Sequence, residues 1–323
     1  MTAIHRTLRL SRPRCPPISF HPRHRAGPRG SCQQYATAAA PTVPHLTVRD
    51  VIDSHQRHHV RDVHAQLQNQ GILKITLNFC DKESQYLENL IKGLGSNHGH
   101  GPPITHSASR GWYWDVRPSK DTLLPMSTQA RSETMREFPW HTDCSYEHNP
   151  PEYFALQVLQ PDRCGGGTLS VLKIDHLTRY LSGAAKAALF EPEFRITIPP
   201  EFVKEPNKLH ILGSILSTDE DHSTLMRFRE DIVTPVSTRA ASALEELKDA
   251  LKHLEASSQA VLHLEPSVLP ENSIILLNNR RWLHARNNVK DPRRHLRRVR
   301  WSAVPFSNSI SSGMIAGSEG EEK

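Results

Sequence analysis

No stretch of this 323-residue chain approaches the roughly 20 consecutive apolar residues that a membrane-spanning helix requires, so the sequence contains no candidate span. Nor does it contain a C-x-x-C pair. Its five cysteines stand at irregular spacing, which argues against a zinc ribbon, a dithiol redox motif or a disulfide framework. Two of them, Cys15 and Cys32, fall in an unusual N-terminus; Cys80, Cys144 and Cys164 are expected to be free thiols. Aromatic residues are sparse at 6%, no internal repeat is visible, and there is no Asp or Glu before Asp50.

That last absence explains the net charge. Residues 1 to 35 carry Arg6, Arg9, Arg12, Arg14, Arg23, Arg25 and Arg29 and no lysine, so removing these seven from 40 basic residues leaves 33 against 34 acidic ones. The body is near neutral, and the overall charge of +6 is therefore no argument for nucleic-acid binding. An Arg-, Ser- and Pro-rich, acid-free start has the composition of a mitochondrial transit peptide, with the Gln34 to Thr37 neighbourhood as the processing region. The expected division is a presequence and linker over 1–44, one domain over 45–306, and a small, polar, acidic tail over 307–323, taken as disordered. With 37% hydrophobic residues the domain can bury a sizeable core.

Periodicity predicts helices over Val51 to Leu67 and Asp81 to Leu94, with a strand over Ile72 to Leu77 between them. From about Ser107 short β-like runs follow, punctuated by Pro, Gly and Asn: Gly111 to Val116, Tyr153 to Leu159, Thr168 to Leu172, Ile274 to Leu277 and Leu296 to Val304. Helices are expected over Asp175 to Phe190 and Ser242 to Ser257, the latter opening on a Ser242/Glu245 capping box. This is an α+β pattern suited to a β-sandwich or jelly roll with flanking helices and a helical insertion over about 175–259.

Two histidines and a carboxylate on one face make the facial triad of non-haem iron oxygenases, and its first two members come as His-x-Asp or His-x-Glu. On a strand, residues i and i+2 share a face and reach one metal. With 20 His and 34 acids, about two such tripeptides are expected by chance, and three occur. His253-Leu-Glu255 falls in a predicted helix, where i and i+2 diverge. His263-Leu-Glu265 lies in unremarkable surroundings. His141-Thr-Asp143 stands in F-P-W-H-T-D-C-S-Y, followed by Gly165-Gly-Gly-Thr168, and far downstream comes L-N-N-R-R-W-L-His284-A-Arg286-N.

These two segments, in this order, resemble the taurine dioxygenase (TauD/TfdA) family, which includes clavaminate synthase-like and γ-butyrobetaine hydroxylase-like enzymes; the resemblance spans roughly His45 to Phe306. It implies a double-stranded β-helix, an Fe(II) held by His141, Asp143 and His284, and 2-oxoglutarate and O₂ as co-substrates. The distal carboxylate of 2-oxoglutarate needs a cation, and the planar fork of arginine suits it. Shortly after His284 comes Arg293-Arg-His-Leu-Arg-Arg-Val-Arg-Trp301; read as a strand, Arg294, Leu296, Arg298 and Arg300 share one face. By resemblance Arg294 binds 2-oxoglutarate with a hydroxyl from Thr168, while Arg298 supports it or binds an anionic group on the substrate.

The expected activity is hydroxylation of a C–H bond in a small, amino-acid- or betaine-like substrate with release of succinate and CO₂. Hydroxylation is the default, desaturation or ring chemistry is compatible with the same site, and halogenation is disfavoured because Asp143 fills the position a chloride would take. A small-molecule partner is expected, with neither nucleic acid nor membrane. The competing reading is a non-catalytic jelly roll whose basic C-terminal strand binds an acidic partner or RNA. Trp112, Tyr113 and Trp114 read as core rather than pocket. Arg286 either orients the site or forms a structural ion pair, and Cys144, opposite Asp143 on a strand, is expected to pack.

Overall fold

A computed structural model describes residues 42–105, 111–118, 129–257 and 260–306, so the presequence and tail expectations lie outside the described residues. In chain order the first half comprises β1 (His45–Val48), α1 (Arg57–Asn69), β2 (Ile72–Leu77), α2 (Gln85–His98), β3 (Trp114–Val116), β4 (Phe138–His141), β5 (Pro151–Gln160) and β6 (Leu169–Lys173). There follow α3 (Ile174–Thr178), α4 (Gly183–Leu189), β7 (Phe194–Thr197), β8 (His210–Gly213), β9 (Leu216–Thr218), β10 (Thr224–Met226), β11 (Val233–Pro235) and α5 (Thr238–Glu255). The chain then closes the core with β12 (Val261–Leu264), β13 (Ser273–Asn278), β14 (Trp282–Arg286) and β15 (His295–Ala303).

Two sheets form the jelly roll: a larger one in the order β1-β2-β13-β5-β15-β3 and a smaller one in the order β12-β6-β14-β4. Strand alternation sorts their side chains into three layers. Phe154, Leu156 and Val158 of β5, Ile275 and Leu277 of β13 and Leu296 of β15 meet Leu169 and Val171 of β6 and Trp282 of β14 between the sheets. Their neighbours Tyr153, Ala155, Ile274, Leu276, Val299 and Trp301 face the other way, onto Val60, Val63 and Leu67 of α1 and Leu87, Leu90 and Leu94 of α2. Outside the smaller sheet, Leu172 and Leu283 pack on α3, α4, α5 and the strands between them. Side chains on the inner faces therefore point into a space walled by both sheets.

Several boundaries differ from the sequence reading, each for a local reason. The helix expected from Val51 is a short 3-10 turn, Val51–His55, capped reciprocally by Asp50 and Asp53, before α1 begins at Arg57. Asp81 does not open α2 but caps it, its carboxylate accepting from the Gln85 and Tyr86 amides at 2.9 Å each. Only Trp114–Val116 of the run from Gly111 is a strand. Asp175 to Phe190 breaks in two because Ser182 caps a new helix through the Ala185 amide. The last helix begins four residues early, with Ser237 as its cap, so Ser242 lies inside it.

The insertion is not mainly helical. It carries a three-stranded sheet, β11-β7-β8, and the β9–β10 hairpin beside α4 and α5. Trp112 and Tyr113 pack against the helical layer and Trp114 against the inner one. Among the described residues Cys80, Cys144 and Cys164 are free, and no helix is long and apolar enough to cross a membrane.

Candidate metal centre

β4 and β14 are antiparallel neighbours whose register sets His141 directly opposite His284. Cross-strand partners on one face hold their side chains side by side, and the two imidazole centroids lie 4.1 Å apart. β4 ends at His141, so Asp143 reaches the same point from the first residues of a turn rather than from a strand. Its Oδ1 sits 3.9 Å from the Nε2 of each histidine. All three side chains are buried, and among the described residues they are the one group of three His, Cys, Asp or Glu whose ligand atoms all lie within 4.8 Å of one another.

The donor set fits a divalent iron. His141 Nδ1 is 2.7 Å from the Pro139 carbonyl, which assigns the proton to that nitrogen and leaves Nε2 as a lone-pair donor facing Asp143. Asp143 Oδ2 is buried without a hydrogen bond, an expensive condition for a carboxylate oxygen unless a cation answers it. Burial and the neighbouring His284 push the His141 pKa well below its usual value, keeping it neutral as a ligand must be. Burial alone would raise the Asp143 pKa, but Arg298, whose Nη1 is 3.2 Å from Oδ1, overcomes it and holds the carboxyl well below the normal range.

Asn279 fixes the backbone of Asp143. It accepts from the Asp143 amide at 2.7 Å and donates to the Asp143 and Pro151 carbonyls at 3.0 and 2.9 Å. Asn279 lies inside the second sequence motif, and its place five residues before the distal histidine is the signal that marks it. Arg286 forms no ion pair among the described residues but lines the metal cavity. Its guanidinium donates to the Ser132, Thr134 and Arg136 carbonyls and so staples the 132–136 segment to β14.

Arg294, Leu296, Arg298 and Arg300 do point the same way, and the first three line one cavity with His141, Asp143 and His284. The strand begins one residue later than expected, at His295, with a bulge before Leu296; Arg294 is held by its amide on the Asp291 carbonyl. Its side chain is 5% exposed, and among the described residues no hydrogen bond or ion pair engages it. Burial, and then Arg286, lower its pKa to about 9, so it stays charged at neutral pH. Thr168 is half-buried, joined through its backbone to Asn287, and next to rather than among the cavity's walls, where Leu169 sits.

His263 bonds Ser170 on a solvent-facing part of β12, and His253 lies on α5. The basic strand is not a solvated stripe: Arg294, Arg298 and Arg300 are 5–7% exposed, and the outward-facing Arg297 is tied to Asp115 at 3.1 Å. Cys144 is not on a strand either. It adopts φ 55° in the turn after Asp143 and touches Arg300 as well as the outer core.

The CsiD family profile matches residues 126–302, more than half the chain and both halves of this centre. The chain belongs to the CsiD family. The profile for taurine catabolism dioxygenase TauD, TfdA family, matches residues 33–174, a stretch that holds the first of the two motifs. It is 26% identical over 167 residues to glutarate 2-hydroxylase of Citrobacter koseri, an alignment covering 50% of this chain and 47% of that protein. The chain thus spans about half the length of that relative. Among solved structures it is similar to asparagine oxygenase with Fe(II), hydroxyasparagine and succinate (TM-score 0.60, 19% identity, 80% of this chain and 84% of the other). A second is the non-haem iron oxygenase OrfP with Fe and α-ketoglutaric acid (TM-score 0.58, 17% identity, 80% and 84%). These likenesses establish the double-stranded β-helix as the fold.

Proposed function

We propose that this CsiD-family chain is an Fe(II)- and 2-oxoglutarate-dependent oxygenase that hydroxylates a C–H bond of a small, carboxylate-bearing substrate. The observation that carries the reading is the meeting, in one cavity, of a buried triad and the buried, unengaged guanidinium of Arg294. A structural arginine is not left buried without acceptors, whereas a co-substrate carboxylate would supply them. When bound, the iron and 2-oxoglutarate together supply O₂ activation: one oxygen atom goes to the substrate as hydroxyl, and 2-oxoglutarate leaves as succinate and CO₂.

The chain's own residues do the positioning. His141, Asp143 and His284 would hold the metal on one face; Arg294 would fix the far carboxylate of 2-oxoglutarate, with Thr168 at its side. Arg298, already against Asp143 in the wall of the same cavity, would steady that ligand and an anionic group of the substrate. The relatives support the substrate class: glutarate, asparagine and arginine, named in their descriptions, all carry a carboxylate.

The test is anaerobic. Fe(II) plus 2-oxoglutarate should give a weak charge-transfer band near about 500 nm, as for a keto acid chelated to such a site, and His141→Ala, Asp143→Ala and His284→Ala should each lose both the band and iron binding. An unchanged band in any of the three removes that residue from the centre. His263→Ala, outside it, should leave the band intact.

We also propose that the acid-free N-terminus is a mitochondrial address. Residues 1–45 fused to a reporter should carry it into mitochondria; cytosolic retention would reduce the segment to a basic tail.

A further inference from the structure

Outside the metal cavity lies a cleft of about 920 Å³, walled by the 129–136 segment, the prolines Pro199, Pro200 and Pro292, and the stretch from Arg229 to Ile232. A second, inner chamber is lined by His141, Asp143, Cys144, Tyr146, Arg298 and Arg300 among others. Two residues belong to both: Arg131 and Arg229. They come from distant parts of the chain, one after β3 and one after β10, and stand where the walls of the two spaces meet.

Arg229 is fixed to the metal-bearing strand. Its backbone bridges His141, the preceding Phe228 exchanges hydrogen bonds with Thr142, and its guanidinium lies 5.2 Å over the Phe138 ring, which itself stacks on His141 at 3.7 Å. Asp231 occupies one edge of that guanidinium, accepting from Nε at 2.8 Å and Nη2 at 2.9 Å. Nη1 has no acceptor among the described residues. Arg131 spends its Nε on the Glu137 carbonyl and holds Nη1 at 4.0 Å from Asp231, beyond hydrogen-bonding distance. One carboxylate thus faces two guanidinium groups, and most of the Nη protons of Arg131 remain for another acceptor. Arg286, by stapling the Ser132, Thr134 and Arg136 carbonyls, holds the segment that presents Arg131.

We infer that Arg131 and Arg229 form an anion subsite at the junction of the two chambers, which receives an acidic group on the end of the substrate remote from the iron. This rests on the oxygenase reading and extends it: specificity is set by residues before and within the insertion, in addition to the inward arginines of β15. An ammonium group there would have to compete with two guanidinium groups for Asp231, so the subsite selects against a cationic tail.

The test uses the full-length protein with Fe(II) and saturating 2-oxoglutarate under argon, titrated calorimetrically with glutarate and with pentanoate. The two acids share five carbons and differ in the second carboxylate. Wild type should bind glutarate about tenfold or more tightly than pentanoate, the discrimination one charged hydrogen-bonded contact provides. Arg131→Gln should bring glutarate to the affinity of pentanoate without weakening pentanoate, and Arg131→Lys, which keeps the charge but not the fork, should fall between them. Arg131 is a third exposed, and an unchanged thermal midpoint in each variant shows that binding, not folding, is being read. Equal binding of the two acids by wild type, no binding of either, or full discrimination kept by Arg131→Gln overturns the subsite. Failure of 2-oxoglutarate to produce its band overturns the oxygenase reading instead, and the glutarate titration is scored separately from it.

Discussion

At the scale of single residues, two inward arginines four positions apart, Arg298 on β15 and Arg294 just before it, have different neighbours and so should have different phenotypes. Arg294 is buried and unengaged, whereas Arg298 is bonded to the metal-binding carboxylate of Asp143. Arg294→Ala would leave a bound 2-oxoglutarate carboxylate without its partner, and is expected to raise the KM for 2-oxoglutarate about 100-fold, a loss of about 3 kcal/mol. Iron affinity, read by titration without 2-oxoglutarate, should not change. Arg298→Ala should weaken Fe(II) binding, because Asp143 loses the charge that orients it, and should impair use of the organic substrate. A larger 2-oxoglutarate KM shift in Arg298→Ala would exchange the two assignments. Both residues were legible as a pair from strand alternation; the contact with Asp143, 155 positions earlier, was not.

Elements show where local pattern and tertiary context diverge. The capping-box pattern at Ser242 and Glu245 is genuine as sequence, yet α5 starts at Thr238, because Ser237 follows β11, where the chain leaves the three-stranded sheet. The hydroxyl of Ser237 accepts from the Ala240 amide at 3.1 Å, and that of Ser242 merely donates back to the Thr238 carbonyl at 3.2 Å. Ser237→Ala is therefore expected to lower stability by about 1 kcal/mol, and Ser242→Ala to change it by no more than about 0.5 kcal/mol. Urea unfolding of both variants checks this, and the reverse order would put the helix start back at Ser242. The strands were read more accurately than the helices because both faces of β5 and β13 are largely buried, giving near-continuous apolar runs bounded by polar residues.

The whole molecule is tied across its helical layer by a chain of rings. Trp301 of β15 can only donate, and its Nε1 is 3.1 Å from His100 Nδ1; His100 Nε2 must then carry the proton it shares with His64 Nδ1, 3.0 Å away on α1. Both imidazoles have to be neutral for this relay. His98 stacks on His64 and Tyr153 of β5 stacks on His100, while burial, then His64 and His98, lower the His100 pKa to about 4. A depressed histidine pKa gives a contribution that is complete above the unfolded value of 6.5 and is lost as pH falls from there towards about 4. Wild type should therefore lose thermal stability across that window more steeply than His100→Gln, which has no proton to take up. Parallel melting curves for the two proteins from pH 7 to about 4 would show that His100 carries no such linkage.

Through the resemblance that its two motifs carry, the sequence made the triad legible; by itself it determined the inward and outward alternation of the strands, and with it the common face of Arg294, Arg298 and Arg300. These follow from residue type and a period of two, which neighbours in the chain are enough to specify. The tertiary structure alone decided which groups from distant segments meet: Asn279 on the backbone of Asp143, Arg298 on its carboxylate, Arg131 beside Arg229. It also decided that the insertion should be part sheet. The physical reason is that these outcomes depend on strand register and on the burial of charge between sheets, and both are settled only when segments more than a hundred residues apart pack together.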